Sequence, residues 1–178
     1  IGLEERGTRP FQIAVNTVLA RIPQMGWGGM EMGVFAARIG LKKEAWSLLQ
    51  HQATFQIYPQ GFFHYFDDAF RSYDWGKHPG GLIPYLEPAG IFAMIVNESL
   101  LQSHDRKIRV FPALPDDQSG AFRLRAVGAF LVSSEAEEGK IKYIGMNNAT
   151  SAQLQQAWDA GLANGATQPF HTLQVRYH

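Results

Sequence analysis

Apolar and polar positions repeat at a helical period in the first part of this chain and at a strand period in the second, and the change falls near residue 105. Pro10 suits the first turn of a helix, and Phe11, Val15, Val18 and Leu19 recur at helical spacing up to Pro23. Gly26-Trp27-Gly28-Gly29 reads as a loop. Residues 30–39 read as helix, with Gly40 as the residue past its end, where a left-handed backbone favours an absent Cβ. Leu41, Ala45, Leu48 and Leu49 stripe the next helix, so 30–56 is expected to be a helical hairpin whose stripe is core packing. A further apolar helix opens at Pro88, and its residues 90–101 would span about 18 Å at ~1.5 Å per residue. Its residues 91–96 are apolar on every side, which suits an element packed within a bundle.

Beyond the polar corner Gln102-Ser103-His104-Asp105, the spacing changes to two. Ile108 to Phe111 reads as a short strand. Phe122-Arg123-Leu124-Arg125-Ala126 alternates apolar with charged, as a half-buried strand does. Ala129 to Val132 is a second strand, Glu135-Ala136-Glu137-Glu138-Gly139 reads as a break, and Lys140 to Ile144 resumes strand character. Thr150 and Gln153 make a capping-box pairing at the head of a helix. Leu173, Val175 and Tyr177 then alternate with Gln174 and Arg176. Strand, helix and strand over 140–177 is the plan of a βαβ unit.

Composition narrows the classes. The 178 residues suffice for one domain or two small ones, and 46% apolar with 12% aromatic residues supports a packed core. Sixteen basic residues against sixteen acidic ones leave no charge footprint for nucleic acid or an acidic membrane. No apolar run approaches the ~20 residues of a membrane span. There is no cysteine, hence no disulfide framework or thiolate metal site, and the compartment stays open. The chain starts at Ile1 with neither an initiator methionine nor a basic leader, and reads as an excerpt of something longer.

Candidate chemistry is sparse. Six histidines, at 51, 64, 78, 104, 171 and 178, show no ligand spacing, so no metal site is expected. Ser103-His104-Asp105 cannot be a triad, because adjacent residues do not converge in that way. The glycines at 26, 28 and 29 do not follow a strand, which removes a dinucleotide fingerprint. Phe62-Phe63-His64-Tyr65-Phe66 suits burial in a core, or a cleft where flat rings stack on sugars. Residues 67–84, holding Asp74, Trp75 and His78, form a long irregular stretch of the kind that builds sites.

Two stretches resemble known families. Leu100-Leu101-Gln102-Ser103-His104, Ile108-Arg109-Val110-Phe111-Pro112-Ala113-Leu114-Pro115, Phe122 to Val132 and Gly139-Lys140-Ile141 resemble the end of the catalytic barrel and the following β-domain in glycoside hydrolase family 95. That family comprises α-L-fucosidases and α-L-galactosidases of the six-hairpin glycosidases, and the similarity covers roughly residues 30–144. It implies an (α/α)6 barrel followed by a β-sandwich, a carbohydrate substrate, no cofactor, and inverting hydrolysis by two groups standing ~6.5–9.5 Å apart. The family usually carries Asp-Gly-Asn shortly before the helix that leads into the corner. This chain has Leu82-Ile83-Pro84-Tyr85-Leu86-Glu87-Pro88-Ala89 there. Glu87 is therefore the candidate catalytic carboxylate, with helix capping as its other reading. The remaining catalytic groups are expected upstream of Ile1, in other parts of a longer enzyme.

Glu138-Gly139-Lys140-Ile141-Lys142-Tyr143-Ile144-Gly145-Met146-Asn147-Asn148, Gln153-Leu154 and Leu173-Gln174-Val175-Arg176-Tyr177-His178 resemble the middle of an aldo-keto reductase, over about 137–178. That resemblance implies NADP as cofactor, with Asn148 and Gln174 binding the carboxamide of its nicotinamide; Asn147 stands where the family has serine. Residues 138–140 are thus open to two readings, a hairpin turn or a helix end capped by Gly139. The expected fold class is α+β: helical hairpins from an (α/α)6 barrel over 1–105, β-sandwich strands over 106–136, and a βαβ unit over 137–178. The favoured function is a glycosidase fragment inactive alone. The alternatives are a reductase fragment and an incomplete module without activity.

Overall fold

The computed structural model describes residues 1–24, 31–55, 57, 61, 63, 86–104, 107–149, 152, 155, 159 and 172–175. The chain divides into two compact units, Ile1–Ser99 and Leu100–His178.

The first unit is helical. A 3-10 turn at Leu3–Glu5 leads into α1 (Arg9–Arg21), whose first turn is closed by Thr8: its Oγ1 accepts the Phe11 N–H at 3.3 Å. Helix α2 (Glu31–Arg38) ends at Gly40, with φ 75°, and α3 (Lys42–Phe55) turns back along it. The α3 stripe lies inside, with Ala45, Leu48 and Leu49 buried. Helix α4 (Leu86–Leu100) completes the core through Ile95, which packs with Val34 and Leu49 and is flanked by Trp46, Ile91, Phe92 and Val96. Gly33 of α2 lets that packing close, because a Cβ there would fall on the end of the Ile95 side chain.

The second unit is sheet. Strands β1 (Leu101–Gln102) and β2 (Arg109–Val110) pair antiparallel. Strands β3 (Gly120–Arg125), β4 (Leu131–Glu137) and β5 (Lys140–Ala149) form an antiparallel meander, and β6 (Thr172–Val175) joins it parallel to β5. Phe122, Val132, Ser134, Ala136 and Met146 are buried, while Arg123, Arg125, Glu135 and Glu137 are exposed. That alternation is the pleat of a sheet with one covered face.

This architecture corrects the expected one. Among the described residues, four helices and two small sheets make a mixed α+β fold, and there is no barrel. Nor do two sheets of a sandwich form among the described residues: the described strands after residue 119 share one sheet. The expected βαβ unit is not separate either, because β5 is the third strand of the meander. The physical reason is the turn at 138–139. Glu138 and Gly139 both adopt positive φ, 45° and 71°, as a two-residue hairpin of matching twist requires. Glu137 then pairs with Lys140, so residues 138–140 form the hairpin and not a helix end. The stretch read as a break continues β4, with Ala136 inward and Glu135 and Glu137 outward.

Candidate functional site

The corner after α4 is built from its own sequence. Helix α4 passes directly into β1, and β2 returns beside it with Leu101 opposite Val110 and Gln102 opposite Arg109. The Phe111 N–H donates to the Leu100 carbonyl at 2.7 Å, which pins the return to the helix end. Phe111 holds φ 52°, a left-handed conformation that costs a bulky residue about 1–2 kcal/mol. Burial of its ring, edge-on to Phe122 at 5.1 Å, offsets that cost. Ala113, Leu114 and Pro115 follow it into the interior. Ser103 Oγ accepts the Val127 N–H at 2.9 Å, tying the corner to the β3–β4 loop. The serine is thus a structural clamp; Asp105 lies outside the described residues.

Glu87 stands exposed in the first turn of α4. A carboxylate there faces the positive end of the helix dipole, worth roughly 0.3–1 kcal/mol. Glu98, the other carboxylate of α4, lies three turns further on, about 16 Å along the axis at ~1.5 Å per residue. It is held by a two-point bond from Arg38, with Nε to Oε2 at 3.3 Å and Nη2 to Oε1 at 2.5 Å. These two carboxylates do not form a hydrolytic pair.

Asn148 and Gln174 are neighbours at the level of the backbone. Strand β5 pairs parallel with β6, matching Asn147 to Gln174 and Ala149 to Val175, and Asn148 is the extra residue of the irregularity between them. Both lie near the carboxyl ends of their strands. Two carboxamides suit the carboxamide of a nicotinamide; they do not suit the adenosine and phosphates of NADP, so these residues alone do not hold the cofactor.

Two polar contacts brace the β4–β5 hairpin. Ser134, fully buried, donates to the Tyr143 carbonyl at 2.6 Å. Lys142 and Glu137 form an exposed ion pair at 2.6 Å across the β4–β5 turn. The hydrogen bond and then the charge of Lys142 hold the Glu137 carboxyl below its ordinary value, and the same pairing raises Lys142. Sequence reading missed Gln52, which is 1% exposed on the inner face of α3. It follows Ala45 and Leu48 at helical spacing, so the stripe marks it as inward. Neither amide atom of Gln52 has a hydrogen-bond partner among the described residues.

Of the aromatic run, Phe63 is described: its ring lies 5.3 Å from that of Phe92, and its backbone bridges to Ile57. Phe62, Tyr65, Phe66 and the stretch 67–84 lie outside the described residues. Among the described residues no three histidine, aspartate or glutamate side chains gather as a metal site requires, and no helix is long and apolar enough to cross a membrane. Compared with protein-family models, curated proteins and solved structures, the chain matches none.

Proposed function

We propose that this chain is a part of a glycoside hydrolase acting on α-L-fucoside- or α-L-galactoside-type bonds, and that it has no hydrolytic activity alone. One observation carries the reading. The corner motif that resembles family 95 supplies the interior of the second unit, with Leu101, Gln102, Phe111, Ala113, Leu114 and Pro115 all buried in succession. A motif used as core supports kinship in this local corner, without the barrel or the sandwich of that family. Glu87, exposed at a helix start and far from Glu98, supports the absence of catalysis in this piece.

The test is hydrolysis of aryl α-L-fucoside and α-L-galactoside, with the released anomer followed by NMR. The polypeptide from the whole reading frame is expected to turn over with inversion, and the 178-residue chain to release nothing. Glu87→Gln in the longer polypeptide tests whether Glu87 is the acid: loss of turnover with retained substrate binding assigns it. No turnover by the longer polypeptide overturns the proposal.

A part of an NADP-dependent aldo-keto reductase is the second reading, favoured by the parallel pairing of β5 with β6, in which Asn147, the neighbour of Asn148, lies opposite Gln174. Nicotinamide fluorescence during titration of the longer polypeptide with NADPH tests it, and an absence of binding rejects it.

A further inference from the structure

We draw no further inference here: the strongest candidate, the buried amide of Gln52 on the inner face of α3, lacks a hydrogen-bond partner among the described residues, but nothing in the structure shows what it would bind.

Discussion

The close approach of α2 to α4 at Gly33 can be tested by adding one methyl group. A Cβ built on Gly33 falls on Ile95 Cδ1, with Ile95 Cγ1 at 3.0 Å and Leu48 Cβ at 3.4 Å. Helix propensity alone favours alanine over glycine at a mid-helix position by up to about 1 kcal/mol. Overpacking a closed core costs about 1–3 kcal/mol. Ile95 is 0% exposed and Leu48 is buried, so neither can swing aside and the steric cost wins. Gly33→Ala is therefore expected to destabilise by about 1 kcal/mol net. Ile95→Val deletes the Cδ1 in question and by itself costs about 0.5–1.5 kcal/mol. In the double variant the new methyl occupies the vacated volume, so the double should be more stable than the sum of the singles by about 1–2 kcal/mol, within the coupling range of touching residues. Urea denaturation of the four proteins, followed by far-ultraviolet circular dichroism, measures the cycle. Additivity within about 0.5 kcal/mol would refute the packing, as would a more stable Gly33→Ala.

Gly139→Ala should be worse and beyond rescue by trimming a side chain. Its Cβ would lie 2.8 Å from the Asp116 carbonyl oxygen, a backbone atom, at φ 71°; a loss of about 2 kcal/mol or more is expected in denaturant melts, and a neutral variant would refute it. Glu138→Asn at φ 45° should instead gain up to about 1 kcal/mol, because asparagine tolerates that region; a loss of stability speaks against the two-residue turn. Gln52→Met, which removes the buried amide at similar volume, should raise stability by about 1–2 kcal/mol, and a drop in the melting midpoint would show that the amide is bonded in solution. Lys142→Met should move the Glu137 carboxyl upward in a 13C NMR titration while leaving the melting midpoint unchanged, since both side chains are exposed. The Glu137 contribution is present above its unfolded value and lost as pH falls through its lowered one; that of Lys142 is lost as pH rises through its raised one. An unmoved Glu137 titration would remove the pair.

Local pattern made the helices legible and tertiary closure invisible. The stripe Ala45, Leu48, Leu49 with Gly40 before it specified the α2–α3 hairpin, because burial and the left-handed turn are both written in single residues. Phe122-Arg123-Leu124-Arg125 wrote β3 in the same way. The stretch 135–139 was misread because its glutamates are poor strand formers, although their alternation with Ala136 keeps the pleat. The turn there lacks the Asn-Gly or Asp-Gly that announces such hairpins. The Arg38–Glu98 pair joins residues far apart in sequence, and no local spacing signals it. The barrel and sandwich came from resemblance alone, and closure of either depends on long-range pairing that a short motif does not encode.

The surface of α4 bears on the same question as its chemistry. Leu86 is 87% exposed and Met94 50%, while Ile95 beside it is fully buried. A helix that is apolar on both its inner and outer sides suits packing from two directions, and the first unit supplies one. The outer side is left as exposed apolar surface. The same helix presents Glu87 at its exposed start, where its carboxylate faces the positive end of the helix dipole. Met94 is half exposed, so Met94→Lys is expected to change the stability of this chain by no more than about 0.5 kcal/mol in urea denaturation. A larger loss would show that the outer side of α4 is packed in solution.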